Sequence, residues 1–336
     1  MGRIKKELIT VSFATYNVDK YIAKALETIT TQTYSEIEIL VIDDGSSDNT
    51  LRIIKQYANI DSRIRLLEND KNMGLAVARN IAFLNSRGKY IAFLDGDDLF
   101  ALDMVEKAYN KITETDADFV MWDYCTFYDE KDLPKLLKSS SGLIGFDSTD
   151  KEELLKRPAF IWVKMFKTDF LRKLNIHFPE GLTKQDIPVW WKVVTATDKI
   201  AILPERLSYY RQQPGATSRR RDKSVFSLAY VMDIVKEQLE SDGIYEIYKE
   251  IFLAQKLGRL YGMYDLIEPN LKIEAKQILQ RRIGVDELSY LKSSNNLSFR
   301  TKLFYKKIMG NLIAGFLYNS FIVLRSVYRF IKQTYE

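Results

Sequence analysis

A chain of 336 residues, 46% hydrophobic and 28% charged, has material for one large globular domain or two modest ones, and a net charge of +5 is too mild for a polycation. No nucleic-acid partner is therefore expected. One cysteine, Cys125, and one histidine, His177, exclude an internal disulfide, a cysteine-based zinc site and the usual histidine-base chemistries.

The segment Met1 to Glu7 carries neither an apolar run of signal-peptide length nor a myristoylation pattern, so a cytoplasmic location is expected. Leu8 to Phe13 then reads as a strand, and Lys20 to Gln32 as a helix with apolar residues at Ile22, Leu26 and Ile29. Ile37 to Ile42 is nearly continuous in apolar character, as buried parallel strands are. Asp43 to Asp48 closes it with turn residues and offers Ser47 or Asp48 as a helix cap. A helix from Asn49 to Tyr57, a strand from Arg63 to Glu68, a helix from Gly74 to Asn85 and an apolar strand from Tyr90 to Leu94 follow. This alternation predicts an α/β fold, a mostly parallel Rossmann-like sheet with helices on both faces.

Beyond Leu102 the pattern loosens. Phe119 to Trp122 reads as a strand, and residues 129 to 150 as an exposed excursion. Ile200 to Leu203 and Leu207 to Tyr210 read as two short strands parted by a turn at Pro204, and from Lys223 onward the chain is mainly helical. In parallel sheets ligands bind outside the carboxyl ends of the strands. Thr15-Tyr16-Asn17, Asp43-Asp44 and Asp95-Gly96-Asp97-Asp98 all stand at such ends, so three polar strand ends are expected to share one crevice. Carboxylates on a tight turn after a buried strand suit a hard cation, Mn²⁺ or Mg²⁺, bridging to a diphosphate; a turn rich in Asp for capping is the plainer alternative.

Five segments occur in a fixed order: Phe13 to Asn17, Gln32 to Tyr34, Val41 to Thr50, Asn72 to Asn80 and Phe93 to Asp98. Together they resemble the nucleotide-binding half of inverting family-2 glycosyltransferases of the GT-A fold, most strongly over residues 8 to 105 and more weakly to about 220. The resemblance implies a nucleotide-sugar donor, with Thr15 and Tyr16 against the nucleoside. Asp44 would accept from a uracil ring, which favours a UDP-sugar. Arg79 would approach the phosphates or ribose, and Asp95 the ribose or sugar. Asp97 would hold the metal, with Asp98 as a second ligand.

Inverting transfer needs a base for the acceptor hydroxyl. In the family that base is the Asp of a Glu-Asp pair after Phe-Pro-Glu-Gly. Here Phe178-Pro179-Glu180-Gly181 leads to Gln185-Asp186, so Glu is replaced by Gln185 and Asp186 keeps its place. Asp186 is expected to be the base, and also suits a helix N-cap. Lys164, in Trp162-Val163-Lys164, resembles the family's Trp-Asn-Lys and would sit on the acceptor side. Trp190 and Trp191 offer a face for a sugar ring or pack in the core. Arg211 resembles the Arg of a Tyr-Arg-x-x-x-Gly-x-x-Ser loop, and the segment through Arg219-Arg220-Arg221 would fold over the diphosphate or remain a solvated basic turn.

From Ser298 the chain is basic and apolar together: Arg300, Lys302, Lys306 and Lys307 precede an apolar stretch from Ile308 to Ile331 that Asn311, Asn319, Arg325 and Arg329 interrupt. Such a segment suits the surface plane of an anionic membrane better than a full span, with docking on the protein's own core as the alternative. The expected divisions are a catalytic domain over 1–220 (a nucleotide-sugar-binding half, 1–105, and an acceptor half, 106–220), a helical region over 221–297 and a membrane-associating tail over 298–336. The implied acceptor is a hydroxyl of a growing cell-surface or lipid-linked glycan, at the inner face of the plasma membrane. Two rivals are a catalytically silent membrane-bound relative and a sugar nucleotidyltransferase; the latter's Gly-rich phosphate loop is missing from Phe13 to Asn17.

Overall fold

The computed structural model describes residues 6–133, 141–146, 150–213, 219–313, 317–319 and 322. The chain divides into two compact units, Met1–Ser218 and Arg219–Glu336.

The first unit begins with the expected alternation: β1 (Ile9–Thr15), α1 (Ile22–Thr30), β2 (Ile37–Asp43), α2 (Thr50–Ile60), β3 (Ile64–Glu68), α3 (Leu75–Asn85) and β4 (Tyr90–Asp95). Every residue of β2 is buried, because the strand is covered on both faces. Ile22, Ala25, Leu26 and Ile29 of α1 join Ile54 of α2 and the β1 residues Ile9, Val11 and Phe13 in the main core. On the opposite face Leu40 and Ile42 pack against Ala78 and Ala82 of α3. The strand ends named above are thereby brought to one edge, since β3, β2, β1 and β4 run parallel in that spatial order.

The other half of the sheet is mixed. β5 (Leu99–Phe100), α4 (Met104–Glu114), β6 (Phe119–Phe127), α5 (Lys151–Lys156), β7 (Lys164–Lys167), α6 (Thr168–Lys173), α7 (Asp186–Ala196) and β8 (Ile200–Arg211) follow in the chain. The full order is β3-β2-β1-β4-β7-β6-β8-β5, with β7 antiparallel to both of its neighbours and β5 antiparallel to β8. The expected strand at Phe119 to Trp122 extends to Phe127.

The two short strands expected around Pro204 form one. Trp122 pairs with Leu203, Asp123 with Arg206 and Tyr124 with Ser208, so Pro204 and Glu205 fall in an irregularity of the parallel ladder. There the absent N–H of proline breaks no pairing, and the strand bends without ending.

The second unit is helical: α8 (Ser227–Ser241), α9 (Tyr245–Leu266), α10 (Lys272–Arg282), α11 (Val285–Ser293) and α12 (Phe299–Ile308). Inside it a buried Lys256–Glu287 pair closes at 2.6 Å, and Glu287 also accepts from the Gly284 N–H at the start of α11. No helix among the described residues is long and apolar enough to cross a membrane. Phe299, Leu312 and Ile313 are exposed, but Arg300 is turned inward over Tyr261, and Lys307 bonds Asn319. Phe316, Leu324, Arg325, Val327, Arg329 and Phe330 lie outside the described residues, as does Pro214–Ser218 of the proposed phosphate loop.

Candidate active site

At the end of β1, Thr15 is buried and its hydroxyl donates to the Ile42 carbonyl, 3.2 Å, and to Asp43. Tyr16, the next residue, is 45% exposed, so it presents a ring to solvent at the crevice edge. Asp43 and Asp44 are both buried at the end of β2. Asp43 accepts from the Ser46 N–H and hydroxyl. Asp44 accepts from Asn69 Nδ2 at 2.8 Å and from the backbone N–H groups of Met73 and Gly74 at 2.9 and 2.7 Å. It therefore ties the loop before α3 to β2. Gly45, at φ +72°, lies against the Lys71 backbone, where a Cβ would come within 2.5 Å. Neither Ser47 nor Asp48 is the cap of α2: that position falls to Asn49, whose side chain makes no capping bond, and Asp48, one residue earlier, accepts from the Thr50 N–H at 2.9 Å.

The acidic turn after β4 is built differently. A Cβ at Gly96 would stand 2.7 Å from the Thr15 side chain, so only glycine lets this turn fold against the end of β1. Burial and the neighbouring Asp95 push the Asp97 carboxyl up to about 6. Asp97 accepts from Gln213 Nε2 at 2.6 Å. Asp98 is fully buried; one oxygen accepts the Arg211 N–H at 2.8 Å, and Oδ2 has no hydrogen-bond partner. Burial, with Asp97 and Asp95 adding to it, raises that carboxyl well above the carboxylate range. Arg211 is buried between the rings of Tyr21 and Phe127, bonds the Asp97 carbonyl through Nε, and pairs with Glu130 at 2.9 Å.

Arg79 joins this turn to the second half of the unit. From α3 its guanidinium, only 3% exposed, pairs with Asp95 at 3.0 Å through Nη2 and with Asp186 through Nη1. Burial raises the Asp95 carboxyl, Arg79 opposes that shift and Asp186 adds to it. Asp186 opens α7 as its first helical residue, where the helix dipole favours a negative charge. Gln185, not Asp186, occupies the cap position, so the carboxylate is turned away from its own helix toward Arg79 and the Ile161 N–H, 3.4 Å away. Residues more than 100 positions apart in sequence thus meet in one network.

Two assignments change. Trp190 and Trp191 are 0% and 1% exposed. Trp190 stands edge-on to Phe119 and donates to the Leu154 carbonyl, so both indoles are core and present no face to a sugar. Lys164 is also wholly buried: its ammonium bonds the Phe160 carbonyl and lies 4.2 Å from the Trp190 ring centroid. It therefore stands behind Phe160 and close to Asp186, as a support of the crevice wall with no exposed ammonium. Burial pulls its pKa down to about 7, against the attraction of Asp186.

Sequence reading passed over Gln213, Glu130 and the Ile161 N–H. Gln213 alone had a clue, standing two residues after the Arg of a recognisable segment. A surface hollow lined by Thr30, Tyr57, Ile60 and Arg63 lies at the amino-terminal edge of the sheet and holds none of these groups.

The donor set at the turn fits a hard divalent cation held mainly by other oxygens. Asp97 is a part-exposed carboxylate whose charge is poorly compensated, and Asp98 leaves an oxygen without a partner. Among the described residues no three His, Cys, Asp or Glu side chains group into an enclosing cage, so such a cation would draw further ligands from a diphosphate and water.

Comparison with known proteins agrees with this architecture. A sequence model described as "Glycosyl transferase family 2" matches residues 10–178, half of the 336-residue chain. The chain is similar to the glycosyltransferase GlyG of Streptococcus pneumoniae, 28% identical over 89% of this chain and 96% of that protein. It is also similar to the Escherichia coli UDP-Glc:alpha-D-GlcNAc-diphosphoundecaprenol beta-1,3-glucosyltransferase WfaP, 30% identical over 67% of this chain and 86% of the other. Among solved structures, Staphylococcus aureus TarS 1-349 in complex with UDP-GlcNAc shares the fold with a TM-score of 0.58 at 18% identity, over 85% of this chain and 92% of that one. The mannosyltransferase PcManGT from Pyrobaculum calidifontis, in complex with GDP-Man and Mn²⁺, does so with 0.56 at 17% identity, over 94% of this chain and 88% of its own. The five ordered segments, the strand-end crevice and the family match lead to one assignment: the chain belongs to glycosyl transferase family 2 and is a glycosyltransferase.

Proposed function

We propose that the protein transfers a sugar, with inversion, from a UDP-sugar to a hydroxyl of a growing cell-surface or lipid-linked glycan, with Asp186 as the base. The observation that carries this reading is the buried Arg79 bridge, which sets Asp186 beside Asp95 at the mouth of the acidic turn. In the reaction Asp186 takes the proton of the acceptor hydroxyl as its oxygen bonds to the anomeric carbon. The bond from that carbon to the diphosphate breaks on the opposite face. Arg79 orients Asp186, and the Ile161 N–H supports the same carboxylate. Tyr16 lies beside the base of the donor, Thr15 and Asp44 shape the nucleoside end, and Asp95 meets the ribose or sugar.

Asp97, with Asp98 behind it, would hold Mn²⁺ or Mg²⁺. When bound, the cation supplies positive charge to the departing diphosphate. Arg211 braces the turn from the far side through its bonds to Asp97 and Asp98.

UDP-sugars are favoured because similar proteins carry them in their names or structures, although the GDP-Man complex of PcManGT shows that this fold also accepts a guanosine donor. We place the protein in the cytoplasm, at the inner face of the plasma membrane. The exposed Phe299, Leu312 and Ile313 next to Lys306 suit an anionic lipid surface.

The test is a donor-hydrolysis and thermal-shift panel of UDP-, GDP-, CMP- and dTDP-sugars with Mn²⁺ or EDTA, on native protein and Asp97→Ala. Metal-dependent stabilisation by a UDP-sugar, absent in Asp97→Ala, is expected. A preference for GDP-sugars, or equal binding in EDTA, would overturn the donor or the metal assignment respectively.

A further inference from the structure

The buried tryptophans leave the acceptor side without an aromatic surface, and another cluster stands in the right place. Phe160 immediately precedes Ile161, whose N–H points to Asp186. Lys164 holds the Phe160 carbonyl, so this peptide is fixed on both sides. The Phe160 ring is stacked on Trp162 at 5.0 Å and 21°, and Tyr124 stands edge-on to both, 5.5 and 5.0 Å away. Tyr210 leans on the same pair, 5.2 Å from Trp162. Trp162 is buried, whereas Tyr124, Phe160 and Tyr210 each keep part of their surface open. These are three neighbouring rings set on a rigid base one peptide from the proposed base.

We propose that Tyr124, Phe160 and Tyr210 form the acceptor subsite, and that it takes the apolar C–H face of a pyranose ring rather than an acyclic polyol phosphate. This rests on Asp186 being the base. A pyranose offers a flat patch of C–H groups that aromatic rings bind without charge, while its hydroxyls stay at the rim. A polyol phosphate would need an exposed cation to hold its phosphodiester. The lysine bonded to Phe160 cannot serve, because it is wholly buried. The relatives span both acceptor kinds, since WfaP is named for an alpha-D-GlcNAc-diphosphoundecaprenol acceptor and TarS for poly(ribitol-phosphate).

Saturation-transfer NMR on the full chain with UDP and Mn²⁺ tests this. The probes are the methyl pyranosides of glucose, galactose, mannose and N-acetylglucosamine, with ribitol 5-phosphate as the contrast. Transfer to the ring C–H protons of at least one pyranoside is expected, reduced between about twofold and tenfold in Phe160→Ala. Phe160→Leu and Tyr124→Leu keep apolar bulk and serve if the alanine variant does not fold, with UDP binding as the fold control. No pyranoside signal, an undiminished signal in folded variants, or a stronger signal from ribitol 5-phosphate would overturn the proposal. Asp186→Asn separates the two readings. It should lose sugar transfer and keep the pyranoside signal. If it stays active, the base assignment falls while the ring-binding result is judged by the NMR alone.

Discussion

Two aspartate clusters stand at the ends of β2 and β4, the strands on either side of β1, and they are built to opposite rules. At β2, Asp43 and Asp44 are buried but receive their hydrogen bonds from backbone and side-chain donors around them. At β4, Asp98 is buried and Asp95 and Asp97 are half-buried, donors are fewer, and the carboxyls of all three are raised. The first pattern is what a carboxylate needs to hold a loop in place; the second is what it looks like when charge compensation is to come from a ligand. Sequence alone shows Asp-Asp in both places. Only the donors around them tell a carboxylate balanced by the protein from one left poorly compensated.

The sharpest break of that comparison lies in activity. Asp186→Asn, which removes the proton acceptor bridged to the β4 cluster, should lower kcat by about 10²- to 10⁴-fold with the circular dichroism spectrum unchanged. At β2 the effect should appear in stability instead. Asp44→Ala leaves Asn69, Met73 and Gly74 donors without an acceptor, and a loss of about 3 kcal/mol is expected in urea unfolding. An unchanged midpoint would mean that Asp44 is not the fastener described.

Titration sharpens the contrast further. Asp97, with its carboxyl near 6, must lose a proton to take a cation. Mn²⁺ affinity measured calorimetrically with UDP present should therefore fall about tenfold per unit below pH 6 and level off above it. In the metal-free protein the sign is the reverse. The folded state holds this proton more tightly than the unfolded chain, so Asp97 lowers stability as pH rises from its ordinary value toward 6. Asp97→Asn should flatten that slope in thermal melts.

Smallest of all is Asp98→Asn. The amide keeps an acceptor for the Arg211 N–H and removes a buried charge. Its effect on stability should be within about 1 kcal/mol of zero near pH 4 and more favourable at pH 7, because only the carboxylate form is costly. A loss that grew with pH would mean that Asp98 is compensated by a group other than Arg211.

The parallel half of the sheet was legible because its strands are buried on both faces and its helices carry a regular apolar spacing; Ile22, Leu26 and Ile29 locate α1 within two residues of its ends. The mixed half was not. β5 has two residues and β7 four, too short to show any period, and their places are set by pairing partners far away in the chain. Pro204 misled because proline usually ends a strand, and nothing local announces a ladder irregularity that absorbs it.

Of the site residues, Asp186 could be found from its segment although the glutamate before it is absent. Its partner could not be found that way: the guanidinium that reaches it comes from α3, and no spacing rule links position 79 to position 186. Trp190-Trp191 shows the limit of composition. A pair of indoles on an apolar helix reads equally as platform or core, and burial alone decided it.

The last residues of β8 have a consequence for how this crevice can change. Tyr210 faces the Phe160–Trp162 stack, and Arg211, the next residue, faces Tyr21, Phe127 and the acidic turn. On the proposed reading, the alternation of a strand thus assigns consecutive residues to the two reactants. A one-residue deletion ahead of them would bring Arg211 to the place of Tyr210 among the rings, and a one-residue insertion would bring Tyr210 to the place of Arg211 against the carboxylates. The bend at Pro204 lies upstream of both, where length could vary most easily. Variation in loop length elsewhere can retune one substrate at a time, whereas on the proposed reading a slip in this strand would disturb the donor and acceptor sides together.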